Sequence, residues 1–121
     1  MSLIARRLTV WLALATGACG GDAAVIRIGM AGPFSEPRGA SMRMAAELAV
    51  REINDAGGVD GRRLELVLRD DSASTERAVA VARELYAMPD VYAVIGHLTS
   101  GTTIAAAPVY NGGDRPLPAI E

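Results

Sequence analysis

Between Leu64 and Ile95 the chain reads LELVLRDDSASTERAVAVARELYAMPDVYAVI, and this stretch decides the fold class. Leu64 to Arg69 is short and rich in branched and aliphatic residues, as a strand requires. Asp70 to Ser74 is a polar loop with several potential helix N-caps. Thr75 to Met88 then places Ala78, Val81, Ala82 and Leu85 on one face at helical spacing. Pro89-Asp90 ends that helix, and Val91 to Ile95 is a second β-branched run. A strand, a helix and another strand joined this way imply a parallel pair with a right-handed crossover.

The same alternation extends outward in both directions. Upstream, Val25 to Met30 (VIRIGM) reads as a strand and residues 31–40 as a loop, broken by Gly32, Pro33, Pro37 and Gly39. A long helix is expected from Ser41, its N-cap, to a stop at Gly57. Met44, Leu48 and Ile53 form the expected apolar stripe of this helix, with alanines and Val50 between them. Arg43, Glu47, Arg51 and Asp55 alternate in sign at steps of four on a solvated face. Gly58-Val59-Asp60-Gly61 reads as a tight turn. Downstream, 96–101 is a loop, Thr102 to Tyr110 a helix with Ser100 as its N-cap, and 111–115 a break. Residues 117–121 begin a last strand. The expected fold class is therefore α/β, a three-layer doubly wound parallel sheet of order β-α-β-α-β-α-β. In such sheets ligands sit outside the carboxyl ends of the strands, often at helix N-termini, which singles out the loops 31–40, 70–74 and 96–101.

Composition narrows the chemistry. Half of the 121 residues are apolar but aromatics are only 4%, so small aliphatic side chains must fill the core. The net charge is −2 and the twelve basic residues are all arginine, scattered without a stripe. That argues against a nucleic-acid face. The absence of lysine excludes a phosphate-loop lysine and a Schiff-base lysine within these residues. The single cysteine, Cys19, excludes an internal disulfide.

The first residues read as an export address. Arg6-Arg7 precede the apolar run Leu8 to Ala15, which is far shorter than the ~20 residues a bilayer-spanning helix needs. Thr16-Gly17-Ala18-Cys19 resembles a bacterial lipobox, although leucine is usual where Thr16 stands. The resemblance implies a lipoprotein signal peptide at 1–18, a lipidated Cys19 and a tether through residue 24. Plain secretion with cleavage near Ala15 or Ala18 is the alternative.

Residues 25–121 resemble the leucine/isoleucine/valine-type periplasmic solute-binding proteins of ABC importers, which share the type I fold. Four segments carry the resemblance in order: Ile28-Gly29-Met30 with Gly32-Pro33; Ala46-Glu47 through Ile53-Asn54-Asp55-Ala56-Gly57-Gly58-Val59-Asp60-Gly61; Asp70-Asp71 followed by Ala78 to Ala82; and Val94-Ile95-Gly96-His97-Leu98-Thr99-Ser100-Gly101. The resemblance implies an incomplete N-terminal lobe that binds an amino acid, branched-chain or related, and partners an ABC permease in the full-length protein. It implies no cofactor and no metal, and membrane attachment only through the lipid on Cys19. Ser100 is then the residue that holds the ligand α-carboxylate. Gly101 and Thr102 supply backbone N–H groups, Leu98 lines the wall, and Gly39 with its neighbours faces the cleft. Arg38 stands where an aromatic often meets the ligand; an arginine there either favours a more acidic solute or points into water. Ala73 and Thr99 occupy the positions of a disulfide found in some family members. An envelope sensor built on the same fold and a non-functional fragment are the alternative readings.

Other constellations point to structure rather than catalysis. His97 and Ser100, with Asp70 or Asp71, suggest a triad, but no glycine-x-serine-x-glycine elbow surrounds Ser100. A histidine bonded to backbone at a strand end is the expected role of His97. Asp70 and Asp71 are neighbours on a strand, point to opposite faces, and are expected to terminate the strand and cap the helix. Met42, Met44 and Met88 are expected as core filler.

Overall fold

The computed structural model describes residues 25–120 of the chain. The expected signal peptide, the lipidation site at Cys19 and the tether lie outside the described residues. Four parallel strands, β1 (Ile26–Gly32), β2 (Leu64–Asp70), β3 (Val91–Ile95) and β4 (Ala119–Ile120), form one sheet in the order β2-β1-β3-β4. Helices α1 (Pro37–Asp55), α2 (Thr75–Tyr86) and α3 (Ser100–Asn111) make the crossovers. The expected α/β order is present in full. None of the helices described is long and apolar enough to cross a membrane.

The strand order places the helices. From β1 the chain steps outward to β2 through α1; from β2 it steps back past β1 to β3 and on to β4 through α2 and α3. Right-handed crossovers in opposite directions put α1 on one face and the α2–α3 pair on the other. The core lies on the α2–α3 side: Ala31, Val81, Ala82, Leu85, Val91, Val94, Ala106, Tyr110 and Leu117 are all buried there. Leu85 inserts over Gly29, where an added Cβ would come within 3.1 Å of both Leu85 methyls and 3.2 Å of Val94 Cγ2. Arg115 closes this side from below. Its guanidinium donates to the carbonyls of Tyr86, Met88 and Val91 at 2.7–3.2 Å, satisfying acceptors left over at the end of α2.

Helix α1 departs from expectation at its start and in its facing. It begins at Pro37, not Ser41, because a proline at the first helical position has the right φ and lacks only an N–H that would have no partner there. Ser41 is thus inside the helix, its hydroxyl donating to the Pro37 carbonyl at 2.9 Å, and Glu36 holds the N-cap position without a side-chain bond. Arg38 and Gly39 consequently belong to the first helical turn and not to a loop. The face turned to the sheet is Gly39, Met42, Ala46, Val50 and Asn54, whereas Met44 and Leu48 are 66% and 46% exposed. At Gly39 the packing admits no side chain because the helix lies close against its own connection: a Cβ there would overlap the Pro33 carbonyl oxygen. Asn54 fastens the far end, its amide exchanging two hydrogen bonds with the Leu64 backbone at 2.8 and 2.9 Å. The expected charge ladder is represented by the Arg43–Glu47 pair at 3.1 Å.

The glycine stop and the turn are as expected. Gly57 has φ +104°, and the N–H groups of Gly57 and Gly58 return to the carbonyls of Asn54 and Ile53, the Schellman pattern. Asp60 and Gly61, both at positive φ, turn the chain between Val59 and Arg62. The last strand starts at Ala119, later than expected, and Leu117 precedes it as a buried residue of the core.

These packing roles predict opposite responses. Leu85→Ala removes a fully buried side chain and is expected to cost about 2–5 kcal/mol. Leu48→Gln touches only an exposed face and is expected to stay within about 0.5 kcal/mol. Urea unfolding of the two variants, followed by circular dichroism, checks both; equal losses would mean that α1 packs on its Met44/Leu48 side after all.

Candidate functional site

The direction of the crossovers reverses between β1 and β3, the two central strands. Beyond their carboxyl ends the connections leave to opposite faces, and a crevice opens where they part. It is flanked by residues 33–36 after β1 and 96–99 after β3, with the β2–α2 loop alongside: a Cβ on Gly101 would come 3.8 Å from the Thr75 side chain.

The loop after β3 begins at Gly96, whose φ of +109° and contact with β1 exclude a side chain: a Cβ there would overlap the Ala31 carbonyl oxygen. His97 follows, then Leu98 and Thr99, and α3 starts at Ser100. The N-cap is Thr99, not Ser100. Thr99 has extended backbone and its Oγ1 accepts from the Thr102 N–H at 3.4 Å, a long bond, while the two hydroxyls lie 2.8 Å apart. Thr102 Oγ1 also donates to the Thr99 carbonyl at 2.8 Å. The helix therefore begins two residues earlier than the sequence suggests, because a threonine ahead of it supplies the cap.

This rearranges the expected site residues. Ser100 and Gly101 are exposed at the start of α3, and their N–H groups are among the first-turn donors with no helical acceptor. Thr102 does not join them: its side chain is buried and its N–H is turned to Thr99. Leu98 is half-buried beside them. Gly39 is buried against the Pro33 carbonyl, and Arg38 is exposed on the first turn of α1. The structure thus brings Leu98, Ser100 and Gly101 together, keeps Thr102 and Gly39 as packing, and leaves Arg38 in solvent.

Behind the loop lies a side-chain chain that the residue pattern did not reveal. His97 is 1% exposed and does not use backbone partners for its ring, contrary to expectation. Its Nδ1 lies 2.7 Å from Asp71 Oδ2 and its Nε2 3.1 Å from the Tyr110 hydroxyl. Asp71 is wholly buried. Its Oδ1 accepts from the Ala73 N–H at 2.9 Å, which helps hold Ala73 at φ +55°, and Asp70 does the same for Ser72 at 2.7 Å. Both aspartates end the strand, as expected, but neither caps α2, whose N-cap is Ser74 accepting from the Arg77 N–H at 3.3 Å, and only Asp71 reaches His97. Both ring nitrogens of His97 are engaged and Ser100 is not a partner, so the suggested triad is not assembled. Burial and the nearby Asp71 carboxylate push the Tyr110 hydroxyl well above its usual pKa, so it keeps its proton. Among the described residues no three His, Cys, Asp or Glu side chains cluster as a metal site would need. Asp71 and His97 were visible as a polar pair flanking strands; nothing in the spacing marked Tyr110, which a helix brings to them from a third element.

The class defined by this fold is an open parallel α/β sheet with a helix N-terminus following one of its two central strands. A sequence profile of the family described as Periplasmic binding protein matches residues 25–118. The chain is 38% identical over 97 residues to Leu/Ile/Val-binding protein homolog 1 of Brucella abortus, covering 77% of this chain and 26% of that protein. Among solved structures it is similar to an ABC transporter substrate-binding protein from Desulfitobacterium hafniense in complex with Leu, at 43% identity and TM-score 0.64, covering 72% of this chain and 26% of that one. It is also similar to a branched-chain amino acid transporter substrate binding protein from Streptococcus pneumoniae in complex with isoleucine, at 36% identity and TM-score 0.70, covering 80% and 30%. The chain belongs to the periplasmic binding protein family. It spans about a quarter of the length of these relatives.

Two outcomes follow from the cap and from Tyr110. Thr99→Ala should cost about 1 kcal/mol, whereas Ser100→Ala should leave stability nearly unchanged; denaturant midpoints of the two variants decide it, and the reverse order would return the cap to Ser100. A tyrosine whose pKa is higher folded than unfolded stays protonated in the native state after it ionises in the unfolded chain. Its stability contribution is therefore complete below the unfolded value of about 10 and is lost as pH rises above it. The urea midpoint should fall above that pH, and Tyr110→Phe should fall less steeply; parallel slopes would exclude Tyr110 as the cause.

Proposed function

We propose that this chain carries the carboxylate-binding end of the ligand site in an exported solute-binding protein of an ABC importer, with an amino acid, branched-chain or related, as the solute. The observation that carries the reading is the start of α3: an exposed Ser100 with the N–H groups of Ser100 and Gly101 at a helix N-terminus, beside the central crevice. A helix N-terminus stabilises an anion through its unpaired donors and its dipole, without an arginine. Leu98 is suited to pack beside an aliphatic solute. Names of relatives support the solute class: the Desulfitobacterium protein holds Leu and the Streptococcus protein isoleucine.

In this reading residues 1–18 direct export, Cys19 is lipidated, and residues 19–24 tether residues 25–121 to the outer face of the membrane. An ABC permease is the partner of the full-length protein, and no cofactor takes part. Arg38 belongs to the rim and leaves solute charge unselected.

Titration of the isotopically labelled chain with leucine, followed by amide NMR, tests this. Saturable shifts are expected at Ser100 and Gly101. Ser100→Ala removes a hydrogen bond to a charged group and should weaken binding by roughly 10- to 100-fold. Shifts confined to other regions, or an undiminished response in Ser100→Ala, would rule out this site.

A further inference from the structure

The Asp71–His97–Tyr110 chain is not used by the ligand reading, yet it lies directly behind the loop on which that reading depends. Asp71, His97 and Tyr110 are 0%, 1% and 2% exposed. One arrangement gives every proton an acceptor: the Nδ1–H of His97 donates to Asp71 Oδ2, and the Tyr110 hydroxyl donates to Nε2. A second ring proton on Nε2 would leave the Tyr110 hydroxyl hydrogen without an acceptor among the described residues.

Each end of the trio is fixed elsewhere. The Asp71 N–H donates to the Gly32 carbonyl at the end of β1 at 3.2 Å, and the Asp71 carbonyl accepts from Ser74 at 2.9 Å. Tyr110 sits in the core on α3. His97 is also held through its backbone, its carbonyl accepting from Thr103 Oγ1 at 2.8 Å. Only Leu98 and Thr99 separate His97 from Ser100, and Thr99 is itself locked to Thr102. The exposed donors therefore hang between two fixed points, and one of them is the imidazole.

We infer that His97 is a positioning residue for the carboxylate-binding loop, oriented by Asp71 on one side and Tyr110 on the other. The inference rests on the reading of Ser100 proposed above. Holding preorganised donors in place matters because displacement by a fraction of an ångström to one ångström is enough to weaken them toward a fixed anion. The same trio ties the β2–α2 loop, with Ala73, to the β3–α3 loop, so one wall of the crevice and the loop alongside it share one support.

The test compares leucine with leucinamide, which keeps the side chain and the amine but lacks the carboxylate. The ratio of the two affinities, read from the same amide NMR titration of the chain, isolates the loop from general stability. His97→Asn keeps a donor within reach of Asp71 and loses the contact with Tyr110; it should lower the carboxylate preference ~10-fold. Tyr110→Phe removes one hydroxyl and should lower it ~3-fold, with leucinamide affinity changed by less than about twofold in both. A preference unchanged in folded His97→Asn overturns the inference. If that variant does not fold, Tyr110→Phe decides on the same criterion. Failure of the wild-type chain to respond to leucine, or an unchanged preference in Ser100→Ala, instead defeats the underlying site, and the positioning role falls with it.

Discussion

A fully buried carboxylate is the constraint around which this structure is organised. Asp71 sits at the junction of β2 and its loop, with no solvent to share its charge. It is tolerated because its oxygens are met by the Ala73 N–H and the His97 ring, while its own backbone bonds to the end of β1 and the start of α2. Removing a partner from such a group leaves an uncompensated buried charge, which is far more costly than the net worth of the bond. That asymmetry forces His97, and with it the loop after β3, into one place. No buried polar side-chain atom among the described residues lacks a partner.

The two faces of the sheet are unequal. On the α2–α3 side, Leu85, Val94 and Tyr110 are part of one buried core, and Arg115 ties the α3–β4 connection to the end of α2. On the other side α1 turns only a narrow face to the sheet and leaves Met44, Leu48 and Ile53 exposed. The loop after β3 therefore takes its rigidity from the α2–α3 layer, which holds the buried core.

Capping by Thr99 has a consequence for the site. A serine that caps its own helix spends its oxygen on an N–H two or three residues on. Here the preceding threonine takes that task, and the buried Thr102 hydroxyl reinforces it. Ser100 is left at the helix start with its hydroxyl exposed and two free N–H donors near it, the arrangement an incoming anion requires.

The alternation of strands and helices, the parallel sheet, the Gly57 stop and the turn at 58–61 were legible in the residues alone, because local hydrophobic period and turn chemistry act over a few positions. The four ordered segments were legible too, as a resemblance to relatives. Three things were decided only by tertiary structure. The helix start moved from Ser41 to Pro37, since whether a proline breaks or begins a helix depends on where the chain arrives from. The inward face of α1 went to Gly39, Met42, Ala46 and Val50 rather than Met44 and Leu48, since Gly39 is the residue that fits against the Pro33 carbonyl and the helical period then sets which residues follow on that face. And Asp71, His97 and Tyr110 became one unit, since they come from three elements 26 and 13 residues apart along the chain. No local pattern encodes that meeting; the crossover geometry and the need to satisfy a buried charge bring it about.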